Sequence, residues 1–109
     1  MANGVDNPTL IYAPRAAQDL EKTENKFAHQ VLDDLEMLGA GKCPAGKIKK
    51  LHGIDFMELK TGDHRTIYRK TGSLIVVVRV ANRRELDRAV GSIDPISFRY
   101  WLKSRISGR

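Results

Sequence analysis

The stretch "SLIVVVRVA", Ser73 to Ala81, constrains the fold more than any other part of the chain. It is almost wholly apolar and of strand length, which argues for a central strand covered on both faces. Its longest unbroken aliphatic run, Leu74 to Val78, is far too short to span a bilayer. Immediately before it lies "KTGDHRTIYRKTGS", Lys60 to Ser73, in which one Lys-Thr-Gly turn opens a strand and another closes it. Short Gly-containing connections between strand-like runs read as hairpins. "DFMELK", "HRTIYRK" and "SLIVVVRVA" therefore form a three-stranded antiparallel meander.

Upstream, the period changes. "TLIYA" (Thr9 to Ala13) is a short β run ended by Pro14, which also suits the first turn of a helix. "RAAQDLEKT" has helical composition, with Ala16, Ala17 and Leu20 on one side. In "ENKFAHQVLDDLEMLG", Phe27, Val31, Leu35 and Leu38 mark an amphipathic helix with Gly39 as its C-cap. "GAGKCPAG" is a loop. At the other end, Asp94 reads as an N-cap and Pro95 as a first helical residue, with Phe98, Trp101, Leu102 and Ile106 on one face. That helix would pack on its own domain or present an apolar face to a partner. The order is β-α-α-β-β-β with a C-terminal tail or short helix. It gives an α+β fold with two helices on one face of a small antiparallel sheet and the other face free for function.

With 109 residues, the chain is expected to hold one domain: a disordered start over residues 1–8, a core over 9–90, and a helical extension over 91–109. Cys43 is the single cysteine, so no intrachain disulfide can form; it reads as an incidental loop thiol. No basic stretch followed by an apolar run stands at the N-terminus, so a cytoplasmic protein without a signal peptide is expected. The net charge of +6 is unevenly spread: residues 1–40 carry three basic and seven acidic side chains, and residues 41–109 carry sixteen and six. The second half is the candidate anion-binding surface.

Alternation sorts the charges. Arg65, Ile67 and Arg69 share one face of the middle strand; His64, Thr66, Tyr68 and Lys70 share the other. With Met57, Leu59, Thr66 and Tyr68 turned to the helices, the free face holds Phe56, Glu58, Lys60, Arg65 and Arg69, joined by Arg79. On the last strand Leu74, Val76, Val78 and Val80 share a face, opposite Ile75, Val77 and Arg79. "NRRELDR" adds Arg83 and Arg84, and "KIKK" adds Lys47, Lys49 and Lys50. Two mid-strand arginines must reach water, an acid or an anion. Glu58 could take one in a structural salt bridge, or phosphate could take both, since the guanidinium fork grips it in two places.

These segments resemble the C-terminal half of the RelE/ParE toxins of bacterial type II toxin–antitoxin pairs. The resemblance rests on Lys50-Leu51-His52-Gly53, Glu58-Leu59-Lys60, Gly62-Asp63-His64-Arg65, Ile67-Tyr68 and Arg83-Arg84-Glu85. "YAPRAAQDLEKT" also resembles the family's opening strand and first helix. It implies a ribosome-dependent mRNA endoribonuclease that inhibits translation, in which the 2′-OH attacks the adjacent phosphate without metal or other cofactor. It implies Arg65 as a phosphate contact and Arg83 or Arg84 as a second. The ParE branch instead implies inhibition of DNA gyrase, and a degenerate member would only bind its antitoxin.

The sequence departs from the family where some ribonuclease members carry two strand lysines; those positions are Phe56 and Glu58. No Tyr or His follows the last strand closely. General acid and base work then falls to Glu58, His52, His64 or Tyr100, with His64 expected by alternation to point away from Arg65. Lys47, Lys49, Lys50, His52, Lys60, Arg69 and Arg79 would bind RNA phosphates. The partners implied are a cognate antitoxin, with ribosome and mRNA or else DNA gyrase, and no membrane.

Overall fold

The computed structural model describes residues 9–107; the expected disordered start at residues 1–8 lies outside them. Strand β1 (Thr9–Tyr12) leads into helices α1 (Pro14–Lys22) and α2 (Asn25–Gly39). Pro14 occupies the first turn of α1, where a missing N–H costs nothing. In α2, Val31 and Leu35 are fully buried and Leu38 packs beside them. Phe27, at the start of that stripe, is only half-buried.

After a 3-10 turn at Ala45–Lys47 come β2 (Ile48–Lys50), β3 (Met57–Thr61), β4 (His64–Thr71) and β5 (Leu74–Asn82). Another 3-10 turn at Arg83–Glu85 opens α3 (Leu86–Gly91), and α4 spans Pro95–Ser107. The sheet order is β1-β5-β4-β3-β2. Two details correct the sequence expectation. "KIKK" supplies a fifth strand, paired antiparallel with β3. The sheet is mixed, because β1 runs parallel to β5. The meander and the two helices on one face are as expected.

Both Lys-Thr-Gly turns are two-residue hairpin loops, closed by Thr61 opposite His64 and by Thr71 opposite Leu74. Gly62 and Gly72 sit at φ 57 and 56, while no other residue type has positive φ among the described residues. Positive φ at the first loop residue alone is the type II′ geometry, whose twist matches the strands.

A bulge breaks the alternation of β5. Ile67 pairs with Arg79 and Tyr68 with Val77, which leaves Val78 unopposed. Ile75, Val77 and Val80 therefore face α1 and α2, in a core with Leu35, Leu59 and Tyr68. Val76 and Val78 face the other side with Ile67. The expected grouping of Val76, Val78 and Val80 on one face is corrected by that single extra residue.

The second face is not free. Phe56, Ile67, Val76 and Val78 form a second core with Ala89 of α3 and Phe98 and Leu102 of α4. Phe98 meets Phe56 edge-on, ring centroids 5.2 Å apart. Phe56, expected on the open face, is buried just ahead of β3. Asp94 holds the first turn of α4, accepting from the Ile96 N–H at 3.1 Å and the Ser97 hydroxyl at 2.8 Å. The Ile106 side chain lies outside those described. Both sheet faces are thus covered, as the apolar run of β5 requires, and only the rim of the second face is left for charged groups.

Candidate functional site

That rim is the corner where β2, β3 and β4 meet. Lys49 pairs with Glu58, and Lys60 with Arg65, across neighbouring strands. Directly opposed residues project to the same side. Lys49, Glu58, Lys60 and Arg65 thus share the face that α3 partly covers. A groove of about 320 Å3 runs there, lined by Lys49, Lys50, His52 and Glu58 on one side and Leu86, Asp87 and Val90 of α3 on the other.

Glu58 and Arg65 form the buried part of the site. Arg65 Nε lies 3.1 Å from Glu58 Oε2, with the side chains 11% and 9% exposed. Arg65 Nη1 also donates to the carbonyls of Gly62 at 2.8 Å and His64 at 3.0 Å. The first hairpin turn thus supplies acceptors that fix the guanidinium. Lys49, Lys60 and His52 are exposed, and among the described residues no ion pair ties them.

Other expected site residues lie elsewhere. Arg79 is corrected: its Nε and Nη2 grip Asp19 of α1 at 2.8 and 3.2 Å, and it is no open anion binder. Lys47 is bound to Asp34 of α2 at 2.7 Å, on the helix side. His64 pairs with Thr61 and Asn82, and its ring lies 5.3 Å from that of Phe27 on α2, away from Arg65 as alternation requires. Arg69 shares Asp55 with Lys50, at 3.5 and 3.8 Å. Arg83 approaches Asp63 at 3.8 Å, and Arg84 uses its backbone N–H to cap onto Asn82. Tyr100 is 79% exposed on α4.

Sequence reasoning missed the α3 wall and the counter-ions Asp19, Asp34 and Asp55. The charged "RRELDRAV" stretch hides Leu86 and Val90 at helical spacing, which was the available signal. Burial pushes the Cys43 thiol up and the Tyr68 hydroxyl up, so neither supplies an anion near neutral pH. Among the described residues no cluster of His, Cys, Asp or Glu could hold a metal ion, and no helix is long and apolar enough to cross a membrane. The groove can do two things chemically. It can attract an anion with Lys49, helped by Lys60 on the same sheet face, and it can offer Glu58 and His52 beside it for proton transfer.

No curated protein sequence matches the chain. Solved structures do. The RelBE2 toxin–antitoxin complex from Mycobacterium tuberculosis is similar at 22% identity and a TM-score of 0.62, over 71% of this chain and 99% of that one. A mutant of YafQ from E. coli is similar at 16% identity and a TM-score of 0.62, over 72% and 97%. The YoeB dimer from Staphylococcus aureus gives 16% identity and a TM-score of 0.56, over 67% and 93%. At these identities the likeness is one of fold. A family model described as the ParE toxin of the type II toxin–antitoxin system parDE matches residues 10–87, from β1 through the opening of α3. The chain belongs to this RelE/ParE family of type II toxins.

Proposed function

We propose that the chain is a toxin that acts on RNA as a metal-free endoribonuclease, on mRNA at the ribosome. The observation that carries this reading is the convergence of Lys49, Glu58, Lys60 and Arg65 on one sheet face beside His52. Lys49 and Lys60 would hold the phosphates flanking the scissile bond. Arg65 positions Glu58 and offers its positive charge to the phosphorane as charge develops. Of the four acid–base candidates, Glu58 and His52 line the groove. One would take the 2′-OH proton, the oxygen would attack the adjacent phosphorus, and the 5′-oxygen would leave with a proton from the other. The products are a 2′,3′-cyclic phosphate and a free 5′-hydroxyl.

The basic half of the chain supports a cognate antitoxin whose acidic segment lies over the groove in the cytoplasm. Mapping transcript ends after induced expression tests the activity: new 5′ ends in translated messages are expected, and intact transcripts under growth arrest would refute it.

One observation favours a second reading. Glu58 is enclosed by its bond to Arg65, and the matching family model is that of ParE. Inhibition of DNA gyrase would then replace cleavage. A supercoiling assay separates the two: inhibition with intact transcripts supports the second reading, and cleavage without inhibition the first.

A further inference from the structure

Helix α3 is a ridge with a groove on either side. Leu86, Asp87 and Val90 look onto the Lys49–Glu58 groove. Glu85, Arg88, Ala89 and Ser92 line a second cleft of about 170 Å3, completed by Arg15 and Asp19 of α1 and by Arg79, Val80 and Ala81 of β5. Three guanidinium groups and two carboxylates meet in it, and their pairing is uneven. Asp19 is fully engaged: it accepts from Arg79 Nε at 2.8 Å, Arg79 Nη2 at 3.2 Å and the Val80 N–H at 2.9 Å. Arg79 Nη1 donates to the Ser92 hydroxyl. Arg15 and Arg88 are exposed, and among the described residues neither side chain has a hydrogen bond or an ion pair. Glu85 alone stands against the two.

We propose that this α1/α3 cleft is a phosphate-binding subsite, gripped by Arg15 and Arg88, for free phosphate or a phosphodiester of a nucleic-acid strand. Two guanidinium groups brought to one cleft repel each other until an anion lies between them. Phosphate suits them better than a carboxylate does, because its oxygens can serve two forks at once, while a carboxylate fills one. The Arg79–Asp19 pair is internally neutralised and presents no free carboxylate to oppose the anion. Exposed Arg83 and Arg84 stand at the head of the ridge. A strand crossing α3 would meet cations on both sides, so the cleft would extend the contact beyond the Lys49–Glu58 groove. The inference goes beyond RNA cleavage and does not depend on it.

The test follows the arginine side-chain Nε–Hε signals of the full chain by NMR. The chain is titrated with inorganic phosphate and, separately, with a short 2′-deoxy oligonucleotide that cannot be cleaved by 2′-OH attack. Arg15 and Arg88 should shift saturably. A response to phosphate alone assigns the site to the free ion; a response to both assigns it to a strand. In the strand case, oligonucleotide affinity should fall roughly tenfold in Arg15→Ala/Arg88→Ala, the scale of one charge-assisted hydrogen bond. Both side chains are exposed, so the variant should fold. In Lys49→Ala/Lys60→Ala the Arg15 and Arg88 shifts should persist. Signals unmoved by either probe, or moved only by a glutamate-rich peptide, would overturn the proposal.

Discussion

Asp19 and Arg79, 60 residues apart in sequence, meet at 2.8 Å and fasten α1 to the middle of β5. β1 ends opposite Val77, so the backbone beyond it has no strand neighbour on that side. Asp19 replaces that neighbour by accepting from the Val80 N–H. Asp19→Ala would leave a part-buried guanidinium and a backbone donor without their acceptor. The expected loss is about 3 kcal/mol, the low end for removing one partner of a buried pair. Urea unfolding monitored by circular dichroism measures it, and an unchanged midpoint would show the pair to be dispensable.

Arg65→Lys keeps the charge but loses the fork that reaches Glu58, Gly62 and His64 together. Lysine has a single ammonium head on a flexible stem. We expect a loss of about 1–2 kcal/mol in stability, with growth arrest relieved at expression levels that match the parent. Full toxicity in a destabilised variant would show that the guanidinium is structural only.

Leu102→Ala removes a buried side chain of α4 from the core with Phe56 and Ile67. The expected cost is about 2–4 kcal/mol, on the scale of other buried leucine truncations. A thermal melt checks this. A change near zero would mean that α4 adds little to the core it covers.

Asp94 predicts a pH effect confined to α4. The hydrogen bonds from Ser97 and from the backbone at Ile96 and Ser97 hold its carboxyl below the usual carboxylate range. A carboxyl with a lowered folded-state pKa stabilises above its ordinary value, and the contribution is lost as pH falls through the lowered one. Amide exchange in the first turn of α4 should therefore quicken on acidification through that window. Asp94→Asn keeps a capping oxygen and should remove the pH dependence; an unchanged profile would place the titrating group elsewhere.

The sequence was most legible where geometry is local. Two Gly-containing turns of fixed length announced the meander, and the Val31–Leu35 stripe announced α2. Arg65 and Glu58 were recognisable as neighbours because alternation and a hairpin register define them. What escaped were long-range effects. Nothing in "LIVVVRVA" marks Val78 as the unopposed residue, since the bulge arises from pairing with β4. Arg79 looked free because its carboxylate belongs to α1, far upstream. The face expected to be open is closed by Phe98 and Leu102, whose apolar spacing was visible but whose docking partner was not.

The unopposed Val78 also protects the chain against misregistration. β5 is mostly aliphatic, and a uniform apolar strand could slide along its neighbour with little penalty. With the bulge in place, a one-residue slip would turn the Arg79 side chain into the core among Leu35, Leu59 and Tyr68, away from the position where Asp19 and Ser92 hold its guanidinium. The single charged residue in a greasy strand therefore acts as an alignment mark, one that only the correct pairing leaves out of the oil.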